Sequence, residues 1–253
     1  MFPFQRLRRL PGAPVTMDFR SAVAKRLRNH LSSVQHEQFD LYFQRLIEAR
    51  RRASLTSLRD RESIERRHFL ESIALLSALL DYGVVKSPVI DIGTGAGFPG
   101  LPVKIVLPDL EMTLVEATGK KVRFLKETMH LLGLKGVSVL QARAEELAHD
   151  SVYRSVYALA LARAVAPLRV LVELSLPFLR VGGFLATPKG SGAEREVREA
   201  QNALAVCGGT VELVKPMSVP APGPRPVLVL VRKMFETPER YPRRPGIPSK
   251  RPL

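Results

Sequence analysis

The chain is poor in cysteine: Cys207 is the single one in 253 residues. That excludes a disulfide framework and any cysteine-clustered zinc site. Its five histidines, His30, His36, His68, His130 and His149, fall in no short metal-ligand pattern, so no bound metal is expected. No apolar run reaches the roughly 18 residues that a membrane span requires. Residues 1–16 carry Arg6, Arg8 and Arg9 but no apolar core of signal-peptide length. These absences lead to the expectation of a soluble protein of a reducing compartment with no membrane partner. Acidic residues are the scarce charge, 24 against 39 lysines and arginines, which leaves a formal net charge of +15.

What is present is ordinary for a folded domain. Hydrophobic residues make up 45% and charged residues 25%, and the mean hydropathy of +0.01 excludes disorder of the whole chain. The basic excess is densest at the two ends. A sequence pI near 10.5 makes a polyanion the leading partner, with an arginine-rich proteome as the bland alternative.

Four stretches differ in pattern. Residues 1–17 are basic and proline-bearing and read as a disordered leader, with Met17 as an alternative start. Residues 18–86 form a helical extension: Val23, Leu27 and Leu31 recur at four, Phe39, Phe43 and Leu46–Ile47 follow at four and three, and Phe69, Ile73, Leu76 and Leu80 mark a further amphipathic helix. Asp60 with Ser63 is a helix-start signal. Residues 87–235 alternate short apolar strands with helices, from Val89–Ile92 to Val227–Val231. Near-continuous apolar strands separated by helices predict a parallel sheet covered on both faces. The proline-rich link Pro216–Pro226 is too short and stiff for a crossover helix, so the last two strands should pair antiparallel at the sheet edge. The predicted fold is α/β, a mostly parallel seven-stranded sheet preceded by an N-terminal helical extension, a pattern that resembles the Rossmann-like class I methyltransferases. The tail 236–253 holds five prolines among its basic residues; it should form neither helix nor sheet, and is either disordered or laid in extended form over a partner or the domain.

The chemistry sits at the strand ends. Gly93, Gly95 and Gly97 follow the first strand in Asp91-Ile92-Gly93-Thr94-Gly95-Ala96-Gly97, where glycines let the backbone turn and approach a ligand. Asp91 would repel a pyrophosphate but would suit the ammonium of S-adenosylmethionine. Glu116, 21 residues beyond Gly95, ends the second strand, where an acid can accept both ribose hydroxyls of an adenosine. Ala144-Glu145-Glu146 follows the third strand, beside the adenine in such folds, or serves as an acidic helix start. Arg163 follows the fourth strand and faces cofactor and substrate together. Lys189–Gly190 ends the fifth on the same rim, for a phosphate or for solvent. His68 reads as a packed or capping residue, Arg50-Arg51-Arg52 as a solvated helix face, and Cys207 as buried filler. The chain lacks the Asn or Asp, Pro, Pro, aromatic run of amino-methylating enzymes and a cytosine-C5 nucleophile. What remains is a ring nitrogen with a free lone pair, such as guanine N7, which needs alignment and no general base. Arg163 is then a positioning group.

These residues together resemble the small-subunit ribosomal RNA guanine-N7 methyltransferase family, RsmG, also known as glucose-inhibited division protein B. The resemblance rests on Arg67-His68-Phe69-Leu70-Glu71-Ser72, on the run Asp91 to Pro102, on Arg143-Ala144-Glu145-Glu146, on Ala162-Arg163-Ala164-Val165-Ala166, and on Lys189–Gly190 with Tyr241-Pro242-Arg243-Arg244-Pro245-Gly246. It implies a monomeric, cytoplasmic, S-adenosylmethionine-dependent enzyme that methylates N7 of a guanine near the decoding region of 16S ribosomal RNA, free or in a small-subunit assembly particle. It further implies that Gly93, Phe98, Ala144, Glu145 and Arg163 contact the cofactor and that Glu116, Ala117 and Thr118 lie at its ribose and adenosine. Lys189, Arg243 and Arg244 are the candidate RNA contacts. Two other readings compete: a methyltransferase of the same fold acting on protein or a small molecule, and a non-catalytic RNA-binding module on that fold.

Overall fold

The computed structural model describes residues 21, 23, 27, 31–53, 55–56, 58, 60–219 and 225–253. The expected leader and residues 220–224 of the proline-rich link lie outside them. Seven strands form one sheet: β1 (Val89–Ile92), β2 (Met112–Glu116), β3 (Val137–Gln141), β4 (Tyr157–Leu161), β5 (Leu179–Lys189), β6 (Gly209–Pro216) and β7 (Val227–Lys233). Their order is β3-β2-β1-β4-β5-β7-β6. β7 alone runs against its neighbours, antiparallel to both β5 and β6. The α/β class, the seven strands and the reversed hairpin at one edge agree with the sequence reading. β5, with 11 residues, is the longest strand of the sheet.

Alternation along each strand sends side chains to two cores. Val89, Leu114, Leu159, Leu161, Leu228 and Leu230 join one cluster; Ile90, Ile92, Val115, Ala160, Val229 and Val231 join the other. This is the period-two geometry of a strand buried on both sides. By the same alternation Asp91 points into the first core, beneath the helical layer.

That layer is α1 (Ser33–Ala53), α2 (Arg61–Ile64), a π-helical turn (Glu65–Leu70) and α3 (Glu71–Tyr82). Asp60 caps α2 by accepting the Ser63 N–H at 2.7 Å. α3 stops at Gly83, whose φ of 74° lets Val84 N–H turn back to the Leu79 carbonyl. α1 buries Phe39, Tyr42, Phe43 and Leu46, a helical i, i+3, i+4, i+7 stripe, in the same core as the sheet residues above. Burying each such side chain stabilises by about 1.5–3 kcal/mol. The extension therefore closes one face of the sheet.

The crossovers are α4 (Gly100–Val106), α5 (Gly119–Leu131), α6 (Ala144–Leu147), α7 (Leu168–Ser175), α8 (Ala193–Glu199) and α9 (Gln201–Cys207). Ala200 separates α8 from α9. Cys207 is buried, as read.

The tail corrects the sequence reading in one respect: it contains a short helix, α10 (Ile247–Lys250), with Pro248 in its first turn, where proline is tolerated. Of the alternatives left open for it, the tail is laid over the chain's own domain. Arg154 donates to the carbonyls of Tyr241 and Thr237 at 3.0 and 2.8 Å. Glu173 of α7 is fully buried, and Arg243 gives it three bonds, from its backbone N, Nε and a terminal nitrogen, at 2.8, 2.9 and 2.6 Å. Arg243, expected to touch RNA, is thus committed to neutralising a core carboxylate.

Removing one partner of a buried pair leaves the other charge uncompensated. Arg243→Ala should therefore cost about 3 kcal/mol in chemical denaturation. Glu173→Leu with Arg243→Ala should cost clearly less, because no orphan charge remains. Equal destabilisation in the single and double variants would show that Glu173 does not need its partner.

Candidate functional site

Ligand crevices in such sheets open where the strand order reverses, here between β1 and β4. The register places Asp91 of β1 beside Leu161 of β4. The loops that leave these two strands, 93–99 and 162–167, are therefore neighbours. A Cβ on Gly93 would lie 2.9 Å from the Val165 side chain, which is how closely they meet. Gly95 has a φ of +63°, and the nearest atom to a Cβ placed there is the Gly93 carbonyl oxygen at 4.0 Å. It needs glycine for its backbone and leaves open space above it.

Asp91 pins the loop. Its Oδ2 accepts the Thr94 hydroxyl at 2.6 Å and the Gly100 N–H at 2.8 Å. Its Oδ1 is buried with no partner among the described residues. Burial pushes this carboxyl from its usual 3.8 up to about 7, against the lowering effect of those two hydrogen bonds and of Arg163. Glu116 at the end of β2 folds back over the loop, accepting Gly95 N–H at 3.1 Å and Thr118 N–H at 2.8 Å, with Lys121 at 3.9 Å. Ala117 and Thr118 are exposed beside it. Ala144 is buried at the start of α6, and Glu145 accepts the Gly246 N–H of the tail at 3.2 Å. An open glycine cradle, an orphaned buried carboxylate oxygen and a strand-end acid fit the adenosine and the cationic end of S-adenosylmethionine.

Phe98, expected at the cofactor, is almost wholly buried in an aromatic stack. The Tyr42 ring lies 5.1 Å from it at 17° and the His68 ring 4.8 Å from it at 21°, while Phe69 meets it edge-on at 5.1 Å. The Tyr42 hydroxyl donates to the Ala96 carbonyl at 2.6 Å. The helical layer thus holds the glycine loop from behind.

Arg163 is fastened to the same layer. It donates to His68 Nδ1 at 2.9 Å, to Glu71 at 3.3 Å and to the Arg67 carbonyl. Its guanidinium carbon sits 5.4 Å from the Phe98 ring centre, a cation–π distance. Burial, then the Arg163 charge, pull His68 down to about 3. The imidazole is therefore neutral, accepts at Nδ1, and by the hydrogen-bond network carries its proton on Nε2, donating to Thr56 Oγ1 at 2.8 Å. His68 is a packed residue, as read, stacked on Phe98, and beyond that reading it accepts from Arg163. Ala164, next along, holds a left-handed φ of 55°, a strained position of the kind that gathers at functional sites.

Beside Arg163 lies a cavity of about 530 Å³ walled by Arg67, Glu71, the 163–167 and 188–190 segments, Glu196, Arg225 and Pro226. Lys189, a candidate phosphate contact, reaches its wall but is tied to Glu196 at 2.9 Å and to the Ala166 carbonyl at 2.7 Å. Arg244 is exposed in a separate groove between α6 and the tail. The sequence reading therefore placed Asp91, the glycines, Glu116 and Arg163 at one rim, and missed Tyr42, Glu71 and Thr56. The available signal was Glu71, an acid at the head of the apolar run Ile73–Leu80 and four residues after Arg67.

The profile of the family described as rRNA small subunit methyltransferase G (GidB) matches residues 35–221. A Chloroflexus aggregans ribosomal RNA small subunit methyltransferase G is 47% identical over 223 residues, covering 88% of this chain and 92% of its own length. Its namesake from Roseiflexus castenholzii is 46% identical, covering 88% and 94%, and that from Streptococcus pneumoniae 42% identical, covering 88% and 93%. Among solved structures, a Corynebacterium glutamicum protein superposes with a TM-score of 0.50 at 20% identity, covering 78% of this chain and 91% of its own; that likeness concerns the fold.

The Asp91 carboxyl gives a pH test. Its folded pKa lies above the usual value, so the native chain holds an extra proton between about pH 4 and 7, and this contribution to stability falls as pH rises through that window. A cationic ligand near Asp91 favours the carboxylate. S-adenosylmethionine binding should therefore release protons near pH 6 and tighten from pH 6 to 7.5, as read by calorimetry in buffers of different ionisation enthalpy. Asp91→Asn should abolish the proton release. Release that persists in Asp91→Asn would assign it to another group.

Proposed function

The chain belongs to the rRNA small subunit methyltransferase G family, and we propose that it methylates N7 of a guanine near the decoding region of 16S ribosomal RNA, acting as a cytoplasmic monomer. It is an S-adenosylmethionine-dependent rRNA methyltransferase of the α/β class. Asp91, Gly93, Gly95, Gly97 and Glu116 hold the cofactor, with Ala117, Thr118, Ala144 and Glu145 at its adenosine end. When bound, S-adenosylmethionine supplies a methyl carbon on a sulfonium, and transfer to N7 leaves the purine cationic with no proton to remove. The monomeric state and the location rest on the family likeness.

One observation carries the choice of N7: none of the described residues at this cavity offers an uncommitted base. Glu71 is engaged by Arg163 and Glu196 by Lys189. Both ring nitrogens of His68 are occupied, and it stays neutral at any pH near 7. An amine or hydroxyl acceptor must lose a proton, for which a positioned base is worth about 10²–10⁴ in rate. A ring nitrogen loses none, so alignment suffices. Arg163 supplies that alignment, charged throughout, through the N–H groups that Arg67, His68 and Glu71 do not engage, donating toward the purine edge without blocking the lone pair.

At saturating cofactor, the single-turnover rate on unmethylated small subunits should be nearly flat between pH 6 and 9. 7-Deazaguanine at the target position should abolish transfer. Methylation of the 7-deaza substrate at the same nucleotide would move the reaction to the exocyclic amine or the ribose.

A further inference from the structure

The cavity beside Arg163 carries an unbalanced charge. Of its four basic residues, Arg163 is matched by Glu71 and Lys189 by Glu196. Arg67 and Arg225 are exposed, and neither guanidinium meets a carboxylate among the described residues. They come from different elements: Arg67 from the π-helical turn of the helical layer, Arg225 from the lead into β7. Between them the wall is small and apolar, with Ala164, Val165, Ala166, Pro167, Pro188 and Pro226. At about 530 Å³ the cavity lies within the usual range for a small-molecule site. Its floor meets the cofactor loop, because Val165 packs on Gly93.

We propose that this cavity receives the target nucleoside swung out of the RNA, and that Arg67 and Arg225 grip the phosphodiesters on its two sides. The inference rests on the rRNA methyltransferase reading and deepens it. A base inside a stack cannot present its edge to a methyl donor at the bottom of a cavity, so it must leave the stack, which unstacking and unpairing oppose. An extruded nucleotide keeps one phosphate before and one after it. Two guanidiniums from separate elements match that pair, since arginine engages phosphate by two parallel hydrogen bonds. Phosphate contacts fix position and carry no sequence information, which leaves the apolar wall and Arg163 to judge the base.

The test uses full-length enzyme and small ribosomal subunits from a strain lacking it, at fixed magnesium. Wild-type enzyme should methylate these subunits, and its affinity for them should fall linearly with salt on logarithmic axes. Arg67→Ala and Arg225→Ala should each make that slope shallower by about 0.7, the value for one phosphate no longer neutralised, and the double variant by about twice that. S-adenosylmethionine affinity should stay within about twofold, which also reports that the variants are folded. Arg180→Ala is the control, because Arg180 is exposed at the opposite end of β5 from the cavity, and its slope should be that of wild type. Unchanged slopes at Arg67 and Arg225, or an equal change at Arg180, would overturn the clamp. Wild-type enzyme that failed to methylate the subunits would instead overturn the rRNA reading on which the clamp rests.

Discussion

The constraint on which this molecule is built is a set of charges buried at the C-terminal rim of a parallel sheet. Asp91 and Arg163 leave neighbouring strands and are both withdrawn from water. Such groups are tolerated only when their hydrogen-bonding capacity is met. Asp91 is met by its own loop, through Thr94 and Gly100, with one oxygen left over among the described residues. Arg163 is met by the helical layer, through His68, Glu71 and the Arg67 carbonyl. The glycine loop and the layer are joined again at Phe98, stacked between Tyr42 and His68. The layer is therefore the back wall of the site as well as the cover of the sheet. His68 acts in it as a neutral acceptor: a cationic imidazole would repel Arg163, and burial keeps the ring uncharged.

The same rule governs where the positive charge goes. A formal +15 suggested a polyanion-binding surface at both ends of the chain, yet four of the cations, Lys104, Lys233, Arg154 and Arg243, are used internally. Lys104 donates to the Pro108 carbonyl at 2.7 Å and to that of Leu110. Lys233 is buried among the carbonyls of Leu176 and Cys207 at 3.1 Å each, and burial lowers it to about 8. Arg154 and Arg243 fasten the tail. Donors committed to carbonyls are not available to phosphates, so the proposed clamp uses Arg67 and Arg225, which meet no carboxylate among the described residues.

The fold was legible because strand and helix periods are local: Val89–Ile92 and Val227–Val231 announce buried strands, and the proline-rich link announces the reversed hairpin. The glycine loop was legible because its residues are contiguous in sequence. What could not be read depends on contacts between distant residues. Glu173 sits within an apolar helix stripe, and only the tail, 70 residues later, explains it. His68 meets Arg163 across 95 residues. The π-helical turn at Glu65–Leu70 has no signature in apolar spacing, although it carries both Arg67 and His68. The tail's docking was hidden for the same reason: proline and arginine composition states what a segment cannot form, not what it rests on.

The central claim is that the helical layer positions Arg163 through the neutral His68, and a double-variant cycle tests it most directly. His68→Phe keeps a ring against Phe98 and removes the Nδ1 acceptor; Arg163→Ala removes the group that it holds. Single-turnover methyl transfer at saturating cofactor is measured in both variants and in the pair. The account requires His68→Phe to slow transfer about tenfold, equivalent to about 1.4 kcal/mol, with little change in S-adenosylmethionine affinity, and to add almost nothing once Arg163 is alanine. Full additivity of the two substitutions would show that His68 acts elsewhere and would contradict the account.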